Sequence, residues 1–259
     1  MPVTVRPFPI GVQPYTVRDQ LAKDYEGTLE KLAAIGYRGI EIGLPPAGKT
    51  VAEQKALLNR LDLQVIGTHG PFDSLEADWE ALFRYLDETG GRFIALSLKF
   101  ASKDDVLQKA DRLNQIGRRC REAGVQLLYH NHDWEFEKFD GDYALDLLLR
   151  ETNPEWVKME LDTYWVARGG EDPAEYVSKL KNRCPLLHIK DMEPGEEKFF
   201  AEVGEGTLDF TKIAQAADEA GTEWLIVEQD LSRRDPIESL TISYRNLQRM
   251  GLSGNRSEG

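Results

Sequence analysis

The sequence predicts a single-domain α/β fold, a (β/α)8 or TIM barrel, and three observations carry that prediction. Eight short apolar runs are spread along the chain, nearly all ending in a polar or charged residue: Gln13, Glu41, His69, Lys99, His130/His132, Glu160/Asp162, His188/Lys190 and Glu228. With one position taken per run (13, 41, 69, 99, 130, 162, 188, 228), the steps are 28, 28, 30, 31, 32, 26 and 40 residues. A strand, a helix and two turns take roughly 30 residues. The segments between the runs carry helical punctuation, and no break in composition divides the chain. In such a barrel the active site lies where the strands end.

The expected strands are Phe8–Val12, Gly39–Ile42, Gln64–Gly67, Phe93–Leu98, Val125–Tyr129, Val157–Leu161, Leu186–Ile189 and Trp224–Val227. Their near-continuous hydrophobicity suits parallel strands covered on both faces. Helix starts are marked by Thr50-Val-Ala-Glu53, a capping box, and by its acidic relative Ser102-Lys-Asp-Asp105. Asp172-Pro173 and Asp235-Pro236 each set an N-cap residue before a proline at the first helical position. Val106, Ala110, Leu113, Ile116, Gly117 and Cys120 recur at helical spacing and make one buried stripe. Gly36, Gly90, Gly124 and Gly221 stand where left-handed C-cap glycines belong. Strict strand–helix alternation gives parallel α/β architecture. An open doubly wound sheet is the runner-up, but it usually has fewer strands and often a glycine-rich phosphate loop, and none is present. The barrel is expected over residues 1–252, closed by a helix at Ile237–Met250, with a flexible tail at 253–259.

The 259 residues are 41% hydrophobic and 30% charged, an ordinary balance for a chain with a sizeable core. A net charge of −13 argues against a nucleic-acid binder, which needs clustered Lys and Arg. No run approaches membrane-spanning length, and the N-terminus lacks the apolar stretch of a signal peptide. Cys120 and Cys184 read as buried free thiols in a reducing cytoplasm, which is the expected location. The expected partner is a small carbohydrate, with no nucleic acid or membrane; homo-oligomerisation is left open.

Residues two apart on a strand share a face, so His130 and His132, Glu160 and Asp162, His188 and Lys190, and Glu228 and Asp230 do so. Ionisable groups inside a barrel are expensive unless paired or bound to metal. His188 beside Asp162 and Glu228 offers an imidazole and two carboxylates, which suits Mn²⁺, Co²⁺, Zn²⁺ or Fe²⁺. Glu160 is expected one layer deeper, orienting a histidine from the neighbouring strand. Gln13, Glu41 and His69 come from the first half of the barrel and are candidates for holding substrate. Phe72, Trp134, Tyr164 and Trp165 follow strand ends and could wall a pocket. Glu205, in Val203-Gly-Glu-Gly206, sits in an expected flexible loop that could close over substrate.

At these residues the chain resembles the sugar phosphate isomerase/epimerase superfamily, the xylose-isomerase-like barrels, over essentially its whole length. The likeness runs through Gly11-Val-Gln-Pro-Tyr-Thr-Val-Arg-Asp19 and Gly36-Tyr-Arg-Gly-Ile-Glu41. It is most specific at Tyr129-His-Asn-His-Asp-Trp-Glu-Phe136, Glu160-Leu-Asp-Thr-Tyr-Trp165, His188-Ile-Lys-Asp191 and Val203-Gly-Glu-Gly206. The resemblance implies one divalent metal at the barrel mouth, Mn²⁺ first and Co²⁺, Zn²⁺, Fe²⁺ or Mg²⁺ after it, with Asp162, His188 and Glu228 as ligands. His130 stands where the isomerases and epimerases carry a first Glu. The fourth ligand is then His130, Glu135 reaching back, or water. Glu135 and Trp165 join the substrate-binding candidates.

The resemblance further implies proton abstraction α to a carbonyl. The first reading is a metal-dependent isomerase or epimerase acting through an enediolate on a ketose or keto-sugar. The alternative is a lyase or dehydratase working by β-elimination on a keto-glycoside or inosose, and a non-catalytic sugar-binding barrel follows. His132 matches a position that serves as acid or base in dehydratase-like relatives. His132 or Glu228 would be the base, and Lys190 or Glu41 the acid. A DNA-repair endonuclease shares the barrel but needs a site richer in histidine and a basic face, whereas only His69, His130, His132 and His188 exist. With no phosphate-cradling glycine-rich helix start and no arginine cluster at strand ends, an unphosphorylated sugar or cyclitol is expected.

Overall fold

The structure, a computed structural model, describes residues 5–70, 72 and 77–254. Pro71 and the part of the expected tail beyond residue 254 lie outside the described residues. Eight strands form the barrel: β1 (Ile10–Val12), β2 (Gly39–Glu41), β3 (Gln64–His69), β4 (Phe93–Leu96), β5 (Gln126–His130), β6 (Val157–Asp162), β7 (Leu186–Ile189) and β8 (Trp224–Val227). Each pairs in parallel with its sequence neighbours, and β1 pairs with both β2 and β8, so the sheet closes without an edge. The (β/α)8 barrel predicted from the spacing is therefore the fold observed.

Among the described residues ten α-helices surround it: α1 (Arg18–Lys23), α2 (Tyr25–Ile35), α3 (Val51–Arg60), α4 (Ala77–Thr89), α5 (Lys103–Glu122), α6 (Ala144–Glu151), α7 (Thr163–Arg168), α8 (Pro173–Lys179), α9 (Phe210–Ala220) and α10 (Pro236–Arg249). The punctuation works as its chemistry requires. Thr50 and Glu53 close a reciprocal capping box at α3, and Asp172 and Asp235 cap α8 and α10 ahead of their prolines. The six residues of the α5 stripe are the buried ones on that helix. Gly221 ends α9 in the left-handed region, φ 80°, where its N–H reaches back to the Ala217 and Asp218 carbonyls. Among the described residues no helix is long and apolar enough to cross a membrane.

Six of the eight strands differ from expectation by one or two residues at an end, and two of these differences have identifiable reasons. β4 stops at Leu96, because the Leu98 N–H donates to the Tyr129 hydroxyl and the Leu98 carbonyl accepts from Trp134 Nε1. β1 begins at Ile10, because Phe8 bridges instead to Ser253, and Gly254 N–H donates to the Phe8 carbonyl. Ser253 and Gly254, placed in the tail by the sequence reading, are thus tied to the start of the barrel.

The inside of the barrel is built in layers. Ile66, Phe93, Ala95, Leu128, Leu186, Trp224 and Ile226 form an apolar cluster separate from the larger core between strands and helices. Glycine on β1 and β2 makes room for it: a Cβ on Gly39 would stand 2.5 Å from the Trp224 ring and 2.6 Å from Ile66. One step further along the same inward faces, the residues become ionisable. We expect Gly39→Val to destabilise the fold by about 1–3 kcal/mol through overpacking. Urea unfolding followed by circular dichroism should show a lower midpoint, and an unchanged midpoint would contradict this packing account.

Candidate metal centre and active site

Glu41 from β2, Glu160 and Asp162 from β6, and Glu228 just after β8 put four buried carboxylates at the barrel mouth. Such charges survive only with partners. His188 on β7 is the central one. Its Nε2 lies 2.6 Å from Glu41 Oε2 and 3.2 Å from Glu160 Oε1, and its Nδ1 lies 3.0 Å from Glu228 Oε2. Burial disfavours the charged ring, but the three glutamates outweigh it and hold the pKa well above the usual imidazole value.

Lys190, two residues on and fully buried, is the second cation. Its Nζ lies 2.7 Å from Glu228 Oε2, 3.0 Å from Asp162 Oδ2 and 3.0 Å from Asp230 Oδ2. Burial opposes its charge, yet Asp162, Glu228 and Asp230 keep the ammonium well above its ordinary pKa. Its backbone is clamped at both ends: Lys190 N–H donates to Thr163 Oγ1, and the Thr163 hydroxyl donates to the Lys190 carbonyl.

Asp162 divides its oxygens. Oδ1 accepts from the Tyr164 and Trp165 N–H groups as the N-cap of α7, while Oδ2 faces the site without a hydrogen-bond partner. Burial, set against the pull of Lys190, brings its pKa to about 6. Asn131 accepts from the Asp162 N–H and so aligns β6 with the end of β5.

His130 is neutral, because burial and then His188, His69 and Lys190 push its pKa well below the usual value. Its Nδ1 lies 2.9 Å from Glu160 Oε1, off the line of a hydrogen bond, and is left without a partner. Glu160 also lies 3.1 Å from His69 Nε2. It therefore serves three imidazoles, from β3, β5 and β7, rather than the single neighbour expected.

Donor atoms of His130, Asp162, His188 and Glu228 all lie within 4.8 Å of one another, as do those of His69, His130, Glu160 and His188. Buried atoms of His130, Glu160 and Asp162 that make no hydrogen bond belong to these groups. Two imidazoles with two carboxylates form a donor set that suits a borderline divalent cation, so the residues fit such an ion. They do not discriminate among Mn²⁺, Co²⁺, Zn²⁺ and Fe²⁺.

A cavity of about 770 Å³ opens above this layer, lined by Gln13, Glu41, His69, His130, His132, Lys190 and Glu228 among others. Gln13 donates from Nε2 to Glu41 Oε2 and accepts the Tyr15 N–H on Oε1, which ties the first loop to the second strand. His132 is stacked on Trp134, ring centroids 3.9 Å apart and planes within 12°. Its Nδ1 has no partner, and burial followed by His130 and Lys190 holds its pKa at about 2.

Three sequence candidates are placed elsewhere. Glu135 is fully buried away from the cavity: Oε1 accepts from the Tyr129 hydroxyl at 2.6 Å and Oε2 from the His132 N–H at 2.9 Å. It is not among the cavity-lining residues, and it ties the loop that carries His132 to Tyr129 on β5. Glu205 is exposed and accepts from Asn246 Nδ2 on α10. Its loop is tied to the end of β7, where the Asp191 carboxylate accepts the N–H groups of Gly204, Gly206, Leu208 and Met192. Trp165 is not among the cavity-lining residues; its ring backs His132 at 5.4 Å and Lys190 Nζ at 5.7 Å.

Residues given no role by the sequence reading fill these gaps. Asp230 was placed on the face of Glu228 by strand alternation, and Asp191 stood inside a quoted motif. Asn131, between two strand-end histidines, offered the same kind of positional signal. Tyr15 and Arg18, in the motif after β1, line the cavity.

Residues 29–246 match the family of xylose isomerase-like TIM barrels, and the chain belongs to that family of enzymes. The inosose dehydratase of Lacticaseibacillus casei is 26% identical to it, covering 83% of this chain and 85% of that one. The crystal structure of a sugar phosphate isomerase/epimerase from Parabacteroides distasonis superposes with a TM-score of 0.83 at 24% identity, covering 98% of this chain and 97% of that one. The probable 3-DHS dehydratase of petrobactin synthesis from Bacillus anthracis superposes at 0.72 with 16% identity, covering 96% and 99%.

Burial pushes the Glu135 carboxyl up to about 7, against the hydrogen bonds from Tyr129 and His132. A carboxyl whose folded pKa exceeds its unfolded value stabilises the fold below the unfolded pKa, and that contribution is lost as pH rises through the folded one. Wild type should therefore lose stability relative to Glu135→Gln between about pH 4.5 and pH 7, by up to about 3 kcal/mol. Urea midpoints of the two proteins across that range test this; parallel curves would contradict it.

Proposed function

We propose that the protein is a divalent-metal-dependent lyase that removes water from a ring ketone of the inosose kind. The observation that carries this reading is the pair of unlike groups lining the cavity beside the metal-ligand cluster: the His132 imidazole, whose buried Nδ1 makes no hydrogen bond, and the Lys190 ammonium. Elimination needs unlike partners, one to take a proton from the carbon α to the carbonyl and one to give a proton to the departing hydroxyl. The C–H electron pair becomes the new double bond, the C–O bond breaks, and the hydroxyl leaves as water.

In this reading His132 is the base, its ring held flat by Trp134 and its backbone by Glu135. Lys190 is the acid, its ammonium held in place by the carboxylates of Asp162, Glu228 and Asp230. His130, Asp162, His188 and Glu228 would hold the metal, and Gln13, Glu41 and His69 would bind ring hydroxyls. A bound divalent ion would supply Lewis acidity toward the ketone and its enolate. The name of the L. casei relative supports the same choice, which reverses the order of preference drawn from sequence.

Isomerisation or epimerisation is the second reading. It is favoured by Glu41 and Glu228, two carboxylates that both line the cavity and flank the His188 ring. Incubation with inososes and ketoses in D₂O, read by NMR, separates the two. An unsaturated product with loss of water supports the lyase; deuterium α to the carbonyl without loss of water would overturn it in favour of epimerisation.

Chelation with EDTA should abolish turnover and added Mn²⁺ should restore it. Asp162→Asn should lower bound metal measured by mass spectrometry, and unchanged metal content would remove Asp162 from the ligand set. His132→Ala should lower kcat by about 10²–10⁴-fold while leaving metal content intact; a change confined to KM would reassign His132 to substrate binding.

A further inference from the structure

The cavity above the strand ends has two halves of different chemistry. Over β5–β8 its wall is polar and charged. Over β1 and β2 it is formed by Pro14, Tyr15, Leu21, Ile42, Leu44 and Pro46. Tyr15 and Leu44 are 51% and 49% exposed, unusual for large apolar residues beside an active site.

The shelf is built before any ligand arrives. The Tyr15 N–H is held by Gln13 Oε1, and the Arg18 guanidinium stacks over the Tyr15 ring at 4.2 Å. Arg18 also donates to the Tyr15 and Asp230 carbonyls, which joins the shelf to the strand end that carries Lys190's partner. An aromatic ring fixed in this way, and half exposed, is a stacking platform.

We infer that the apolar end of this cavity binds a planar aromatic substituent on the substrate, so that the enzyme's ring ketone carries an aryl group on the side of Tyr15 and Leu44. The inference rests on the lyase reading above for the placement of the ring ketone at the polar end. Two observations favour an aryl group over a second sugar or an empty margin. A volume of about 770 Å³ falls in the range of about 300–1,000 Å³ that encloses drug-sized ligands, well beyond one six-membered polyol ring. The shelf is also poor in polar side chains: apart from the Tyr15 and Tyr25 hydroxyls and Arg18, it presents Pro14, Leu21, Ile42, Leu44 and Pro46, which offer sugar hydroxyls no partner.

The test is calorimetric titration of the full chain, with Mn²⁺ present, using phenyl and methyl β-D-glucopyranoside as matched probes. The phenyl glycoside should bind at least tenfold more tightly, and both Tyr15→Ala and Leu44→Ser should close that gap. Equal affinities, or a gap that survives both substitutions, would overturn the inference. Light scattering of wild type and Leu44→Ser covers the rival occupant: a dimer that the substitution dissociates would assign the shelf to a second copy of the chain. Inosose turnover is followed separately. Phenyl preference without inosose dehydration would sink the lyase reading and leave the shelf standing, whereas dehydration without phenyl preference would do the reverse.

Discussion

A single imidazole holds the mouth of this barrel together. His188 lies against Glu41, Glu160 and Glu228, which come from β2, β6 and the end of β8. Each of those carboxylates would be prohibitively costly where it stands if it were alone. The contact joins the second strand to the sixth, seventh and eighth across the mouth of the barrel. Lys190 extends the arrangement to Asp162 and Asp230, and the apolar layer beneath it keeps water from screening any of these pairs.

The fold was legible because it depends on repetition. Eight apolar runs at a nearly constant spacing leave few alternatives, and all eight became barrel strands. The cluster was legible for a related reason: alternation places His130, Asp162, His188 and Glu228 on the inward face whatever their neighbours do. Side chains on loops follow no such rule. Glu135 and Glu205 were candidates for reaching metal or substrate, but one turns back to Tyr129 and the other to Asn246. The reach of His69 to Glu160, between strands three apart in the sheet, is likewise a matter of barrel radius, which no local pattern encodes. The apolar shelf was missed because its residues come from two separate loops that only barrel closure makes neighbours.

The shortened β4 shows how one local choice supports another. By ending at Leu96, the strand frees the Leu98 backbone to meet Tyr129 and Trp134. Trp134 then supplies the surface on which His132 lies, and Tyr129 supports the carboxyl that receives the His132 N–H. The imidazole is thereby fixed through its ring and its backbone, by groups that leave its Nδ1 unpaired.

Asp162 shows the same economy at a single carboxylate. One oxygen belongs to the first turn of α7 and the other to the site. The side chain therefore cannot rotate to offer both oxygens inward without uncapping a helix. Its position in the site is inherited from the stiffness of α7, so the entropy of ordering this group is settled when the chain folds and not when a ligand arrives.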